Sequence, residues 1–205
     1  KKLSSGAPAG IKVGSNAAEA GENGPDAIQE AKKVSANELG KVPIFVYHQI
    51  DQVEGRWSRT PDNFRKDLQE LYDSNYVLVP LNDYISGNLD IPAGKSPAVL
   101  TFDDSTGGQF RLQAGEGGEA VPDPDCAVAI LLDFEKKHPG FGHAATFFIN
   151  AGPFGQPQYW QKKLQLLNQW GFEIGNHTYD HKYLKDLPPD QVAGQIASLQ
   201  AIIQQ

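Results

Sequence analysis

From residue 42 onward, apolar runs of strand length alternate with segments of helix length. The runs VPIFVYHQI, YVLVPL, PAVLTF, ATFFIN and FEIGN predict five strands, because each is short, apolar and rich in β-branched or aromatic residues. The segments between them repeat apolar side chains every three or four positions, which predicts helices. Strands that alternate with helices are typical of a parallel sheet with helices packed outside it.

One segment shows the helix signals most clearly. TPDNFRKDLQELYDSN begins with Thr60, a good N-cap, and Pro61, which suits a first helical turn. Its predicted buried face consists of Phe64, Leu68, Leu71 and Tyr72. Three further helices are predicted over DPDCAVAILLDFEKKHPG, PQYWQKKLQLLNQWG and PPDQVAGQIASLQAII. We therefore expect an α/β fold, either an open sheet or part of a (β/α) barrel.

Residues 1–40 differ from the rest of the chain. They contain no aromatic residue and are rich in Ala, Gly, Ser, Asn and Glu. Such a segment buries too little apolar surface to offset the entropy lost on ordering it. We expect a flexible tether or linker at 1–40, followed by one domain at 41–205.

Composition excludes some partners. The net charge of -7 argues against nucleic acid or an anionic membrane surface, and no apolar run approaches the roughly 18 residues of a membrane span. The single cysteine, Cys126, allows no internal disulfide. The chain has no Met, not even a first one. We therefore expect that an N-terminal segment has been removed, such as a signal peptide or a lipoprotein leader. In the second case the protein would carry a lipid anchor.

Two polar clusters follow predicted strands. Asp103 and Asp104 end the run PAVLTF, and His177 and His181 follow FEIGN in the segment EIGNHTYDHKYL. On a helical turn, histidines four residues apart share one face, which suits two ligands of one metal ion. Two histidines with one carboxylate form a common hydrolytic metal site. Asp104 is the candidate carboxylate, which leaves Asp103 free to act as a base. The alternative is that the histidines are surface residues and the aspartates form a cap or turn.

The motifs TFDD and NHTYDH together resemble those of the polysaccharide deacetylases, the NodB-like proteins of carbohydrate esterase family 4. The resemblance implies that Asp103 is the catalytic base. It implies that Asp104, His177 and His181 bind a divalent metal, zinc first and Co²⁺, Ni²⁺ or Mn²⁺ as alternatives. Thr178, inside the second motif, would order the loop without binding metal.

The resemblance also implies a fold. The family has a distorted seven-stranded (β/α) barrel, and this chain would hold about five of the strands, so the domain at 41–205 would be incomplete at its C-terminus. The later motifs, with an orienting arginine, an aromatic groove wall and a histidine general acid, would then be missing and the chain alone inactive. Ser105 stands where many members have Gly, and the glycine-rich segment 107–124 is interpreted as an insertion beside the site.

The function implied is metal-dependent hydrolysis of N-acetyl or O-acetyl groups on a cell-surface or extracellular polysaccharide, with an N-acetylglucosamine polymer as the leading substrate. The protein would then be secreted or attached to the cell surface. One alternative is a non-catalytic glycan-binding or wall-associated module on the same fold. Another is an unrelated metal hydrolase of the β/α barrel class.

Overall fold

The computed structural model describes residues 36–38 and 40–204 as an α/β structure. The strands of this part of the chain are β1 (Ile44–Tyr47), β2 (Gln49–Ile50), β3 (Ser58–Arg59), β4 (Tyr76–Leu78), β5 (Ser96–Phe102), β6 (Leu112–Ala114), β7 (Ala120–Pro122), β8 (Thr146–Ile149) and β9 (Glu173–Asn176). Its α-helices are α1 (Pro61–Asp73), α2 (Leu81–Ser86), α3 (Ala127–Lys137), α4 (Trp160–Gln169) and α5 (Pro189–Ile203).

Five strands form one parallel sheet. Its order is β1-β5-β8-β9, and β4 pairs with the first half of β5. The central strand β5 is buried at every position after Ser96. Parallel sheets are covered on both faces, so their strands consist of almost continuous apolar residues. The predicted α/β class is confirmed, and each of the five predicted runs contributes one strand to this sheet. No pairing joins β1 to β9 among the described residues, so the sheet is open within them.

The register of this sheet aligns the carboxyl ends of its strands. Tyr47 pairs with Phe102, and Phe102 pairs with Phe147. At the end of the next pair, Ile149 faces Asn176. The residues that follow β1, β5, β8 and β9 therefore emerge together at one edge, which we call the carboxyl edge.

The four predicted helices are confirmed, and α1 begins as expected. The side chain of Thr60 accepts a hydrogen bond from the Asn63 N–H at 3.3 Å, and Pro61 is the first helical residue. Phe64 and Leu68 are fully buried on the inner face of α1. Cys126 is buried and free.

Several short elements differ from the prediction. The run VPIFVYHQI is not one strand, because it divides at His48 and β2 pairs separately with β3. The segment 107–124 contains the antiparallel hairpin β6–β7. Helix α2 was not predicted, because its start is held from far away: the Glu173 carboxylate accepts hydrogen bonds from the Leu81 and Asn82 N–H groups at 2.9 and 3.0 Å.

The tether predicted for residues 1–40 lies mostly outside the described residues. Within its described part, the Asn37 N–H donates to the Lys95 carbonyl at 3.0 Å. The Glu38 carboxylate accepts a hydrogen bond from the Ile91 N–H at 3.2 Å. These contacts hold residues 36–38 against the segment that leads into β5. Over the described ranges, no helix has both the length and the apolar character of a membrane span.

The aromatic core lies directly under the carboxyl edge. Phe102 stacks on Phe147 with ring centroids 4.8 Å apart, and on Tyr47 at 5.4 Å. Phe102 and Phe147 are fully buried. Burial of one such side chain stabilises a fold by about 1.5–3 kcal/mol. The strand ends are therefore supported by close packing.

One charged residue lies inside this core. Lys163 of α4 is fully buried, and its Nζ donates to the Phe154 carbonyl at 2.8 Å. The rings of Phe110 and Phe154 each lie 5.8 Å from Nζ. Burial disfavours the charged form and lowers the pKa of Lys163 to about 8.

This buried lysine predicts a specific dependence of stability on pH. Above pH 8 the folded protein loses the Lys163 proton, whereas the unfolded chain keeps it until about pH 10.5. The unfolded state then binds more protons, so Lys163 increases stability as the pH rises through this window, by roughly 3 kcal/mol. Urea unfolding at pH 7.5 and 10.5 should show this increase, and Lys163→Met should remove it. Equal pH dependence in the variant and the natural protein would contradict the assignment.

Candidate metal centre

Three predicted site residues meet at the carboxyl edge. Asp104 follows β5, and His177 and His181 follow β9. The Nε2 atoms of His177 and His181 lie 3.2 and 3.1 Å from Asp104 Oδ1. One candidate ligand atom from each residue lies within 4.8 Å of the other two. Folding thus brings Asp104 next to two histidines that lie more than 70 positions further along the chain.

The aspartate reaches this point through an unusual backbone conformation. Asp104 has φ of 72° and Ser105 has φ of 45°, both in the left-handed region. Such positions cost on the order of 1–3 kcal/mol unless the surroundings hold them. Here the Ser105 carbonyl accepts a hydrogen bond from the Phe154 N–H at 2.7 Å. The Ser105 hydroxyl accepts another from the Asn150 N–H at 3.2 Å.

The histidines do not lie on a helical turn, so that prediction was wrong. The segment from His177 to His181 is irregular, and Thr178 and His181 have φ of 72° and 55°. The rings still meet, with centroids 4.9 Å apart. The Thr178 N–H donates to the Asn176 side chain at 3.0 Å, and this local bond competes with helix formation. The Asn176 side chain therefore helps to order the loop, and the role expected for the Thr178 hydroxyl stays a prediction.

Asn150 links the two loops and was missed by the sequence analysis. It follows β8, which lies between β5 and β9 in the sheet. Its backbone N–H donates to Ser105, and its side-chain amide donates to the carbonyls of His177 and Thr178, both at 2.8 Å. The signal was present in the sequence, because ATFFIN ends its apolar run in an amide residue at the same strand edge.

The electrostatics of the cluster favour a cation. Asp104 Oδ1 is buried and accepts no hydrogen bond from the described residues, although both imidazoles lie close to it. An unsatisfied buried acceptor costs about 1–3 kcal/mol, and more when it is charged. In a tetrahedral site with bonds of about 2.0–2.2 Å, ligand atoms lie about 3.3–3.6 Å apart, which is close to the observed separations. These residues could therefore hold a divalent metal ion.

Asp103 is fixed by its main chain. Its N–H donates to the Tyr47 carbonyl at 2.9 Å, and its carbonyl accepts a hydrogen bond from the Gln109 side chain. The side chain is half-buried, next to Asp104 in the chain. The candidate base and the candidate ligand thus lie together at the end of β5.

Other histidines lie outside the cluster, and their surroundings explain them. His138 stacks on Phe134 with ring centroids 4.3 Å apart. His143 contacts the Glu135 carboxylate through Nδ1 and the Trp170 carbonyl through Nε2. His138 thus packs on the end of α3, and His143 joins α3 to the residue that follows α4.

The fold and this cluster define an α/β protein with two histidines and one carboxylate at the carboxyl edge of a parallel sheet. The sequence profile of the polysaccharide deacetylase family matches residues 90–205, more than half of the chain. The chain belongs to the polysaccharide deacetylase family. The matched region contains all four predicted site residues.

Individual relatives agree with this assignment. The chain is 25% identical over 181 residues to YxkH of Bacillus subtilis strain 168, which bears a polysaccharide deacetylase name. That alignment covers 83% of this chain and 57% of YxkH, so the chain spans little more than half of the length of this relative.

Solved structures share the fold. The deacetylase PplD of Streptococcus pyogenes, solved in complex with acetate, aligns with a TM-score of 0.56 and 22% identity, over 77% of this chain and 65% of PplD. A polysaccharide deacetylase from Bacillus cereus aligns with a TM-score of 0.56 and 21% identity, and the alignment covers 80% of this chain and 48% of the Bacillus cereus chain. IcaB from Ammonifex degensii aligns with a TM-score of 0.53 and 21% identity, and the alignment covers 77% of this chain and 65% of IcaB. At these identities the comparison supports the fold alone.

The Asn150 link predicts an asymmetric response to substitution. Asn150→Ala removes two hydrogen bonds, each contributing about 1 kcal/mol to the free energy of unfolding. Asn150→Asp should cost at least as much, because its carboxylate would face the two carbonyls that now accept from the amide. Urea unfolding measures both, with Asn88→Asp as an exposed control. An Asn150→Asp variant as stable as the natural protein would contradict the link.

Proposed function

We propose that the protein is a metal-dependent deacetylase that hydrolyses acetyl groups of an extracellular polysaccharide, with an N-acetylglucosamine polymer as its substrate. The observation that carries the proposal is the convergence of Asp104, His177 and His181 beside Asp103, in a chain of the polysaccharide deacetylase family. O-acetylated sugars are the second substrate class, because ester and amide hydrolysis need the same groups.

Asp104, His177 and His181 would hold the metal. Nitrogen and oxygen donors in this set suit Zn²⁺ best, and Co²⁺, Ni²⁺ or Mn²⁺ are alternatives. When bound, such an ion polarises a carbonyl and makes water a stronger nucleophile near neutral pH. The chain's own contribution is the placement of three ligand atoms on two loops, which Asn150 joins through hydrogen bonds.

Asp103 would act as the general base. Its carboxylate takes a proton from water as the water oxygen attacks the acetyl carbonyl carbon. The carbon–nitrogen bond then breaks as the amine takes up the proton that Asp103 accepted, and the products are acetate and a glucosamine unit. The hydrogen bonds of the Asp103 main chain to Tyr47 and Gln109 support this role, because a base must be held in a fixed position.

We also propose that the protein acts outside the cytoplasm, where such polymers lie, and that residues 1–40 tether it there. The polar, non-aromatic composition of residues 1–40 supports a tether. A non-catalytic glycan-binding module is the competing function, and loss of activity in the natural protein would favour it.

Metal binding gives the first test. His177→Ala and His181→Ala should each weaken zinc affinity by more than about 100-fold, since loss even of partners outside the ligand set costs 10–100-fold. Isothermal titration of the apo-protein with zinc measures the affinity. His138→Gln, which changes a histidine outside the cluster, should bind as the natural protein does. Unchanged stoichiometry and affinity in both alanine variants would end the proposal of this metal site.

Turnover gives the second test. Asp103→Asn in the full-length protein should retain zinc and lose about 10²–10⁴-fold in kcat, the usual contribution of a general base. Acetate release from an N-acetylglucosamine oligomer is the measurement, and Asp90→Asn provides an exposed aspartate control. Near-normal turnover in Asp103→Asn would assign the proton transfer to another group.

A further inference from the structure

An exposed tryptophan lies near the carboxyl end of β1. Trp57 is 58% exposed, although an indole offers a large apolar surface. Its backbone carbonyl accepts a hydrogen bond from the Gln49 N–H at 2.9 Å. The His48 ring packs against the indole with centroids 4.7 Å apart and an interplanar angle of 45°. Tryptophan is enriched at binding interfaces, where its ring supplies apolar contact and its N–H can donate.

The backbone connects this tryptophan to the candidate metal centre. His48 follows Tyr47 and Asp103 follows Phe102, and those two strand residues are paired. The side-chain nitrogen of Gln109 donates to the carbonyls of both His48 and Asp103. The two carbonyls therefore lie close together. The backbone of His48, whose ring packs against the indole, is thus held beside the backbone of the candidate catalytic base.

The loop that carries Trp57 is held in place by Glu54. Its carboxylate accepts hydrogen bonds from the Thr60 N–H at 3.0 Å, from the Asn63 side chain at 2.8 Å and from Arg59 at 2.7 Å. These bonds, the Thr60 contact first, lower the pKa of Glu54 to about 2, so it stays ionised at neutral pH.

A further bond closes the loop, from the Ser58 hydroxyl to the Val53 carbonyl at 2.8 Å. A ligand that binds Trp57 would therefore not have to order a flexible loop, which lowers the entropic cost of binding.

The chemistry around Trp57 suits a sugar ring. The C–H face of a pyranose packs on an aromatic ring, and its hydroxyl and acetamido oxygens need hydrogen-bond donors. Arg56 supplies donors, with its Cζ 5.0 Å from the centroid of the indole ring. Arg56 is exposed and forms no ion pair with the described residues, so its guanidinium can move and still donate. A cavity of about 260 Å³ lies between this loop and the end of β1.

We propose that Trp57, Arg56 and His48 form a sugar-binding subsite, the Trp57 platform, which holds a ring of the glycan next to the unit that loses its acetyl group. The proposal rests on the proposed deacetylase function for its choice of ligand. It assigns to the β1 side of the site the recognition of the polymer, while the loops after β5 and β9 hold the reacting groups.

The test compares Trp57→Ala with Trp57→Phe in the full-length protein. The probes are the N-acetylglucosamine tetramer and 4-nitrophenyl acetate, which has no sugar ring. Trp57→Ala should raise both Kd and KM for the tetramer about threefold to tenfold, the range of a lost aromatic contact. The increase in KM for the tetramer should exceed any increase in KM for 4-nitrophenyl acetate. Trp57→Phe should recover part of the affinity, and Val53→Ala, on the same loop with 74% exposure, should bind as the natural protein does.

The outcomes separate the subsite from the deacetylase function. If the natural protein releases no acetate but binds the tetramer through Trp57, the proposed function fails and the platform is supported. If the natural protein releases acetate and Trp57→Ala binds and processes the tetramer equally well, the platform is overturned. A Trp57→Ala effect confined to self-association, measured by sedimentation, would also overturn it in favour of a protein-docking role.

Discussion

The parallel pairing of the buried strand β5 with its neighbours is the constraint on which the site depends. Because β5 is buried along almost its whole length, its register is set by the packing of both faces. A shift by one residue would turn Phe102 out of the aromatic core and move Asp103 and Asp104 with it. The close packing of Phe102 between Tyr47 and Phe147 therefore determines where the two carboxylates lie.

The site itself is less regular than the sheet that supports it. Asp104, Ser105, Thr178 and His181 all have positive φ, and none of them is glycine. Such strain persists only where surrounding contacts hold it, and it concentrates at functional sites. The hydrogen bonds of Asn150 and Phe154 supply these contacts here. The loops are thus held in a conformation that brings three potential ligand atoms together.

The sequence predicted what depends on local pattern. Five apolar runs and four amphipathic segments were sufficient for the α/β class, and strand ends indicated the four candidate site residues. It did not predict what depends on distant partners. Helix α2 is capped by Glu173, about ninety positions away. The spacing of His177 and His181 suggested a helical turn, but a hydrogen bond from the Thr178 N–H to the Asn176 side chain redirects this loop. Such a bond leaves no periodic pattern in the sequence. The roles of Asn150 and Trp57 depend on contacts with residues that are brought close only by folding, so these contacts could not be predicted from the sequence.

Ser105 shows how one position can combine two opposing demands. A glycine there would adopt the positive φ without steric cost. Serine at this φ is strained, but its hydroxyl accepts a hydrogen bond from the Asn150 N–H. The strained residue thus connects the ends of two neighbouring strands, which glycine could not do through a side chain. A glycine at position 105 would lack this hydroxyl, so the loop after β5 would lose its direct side-chain bond to the loop after β8.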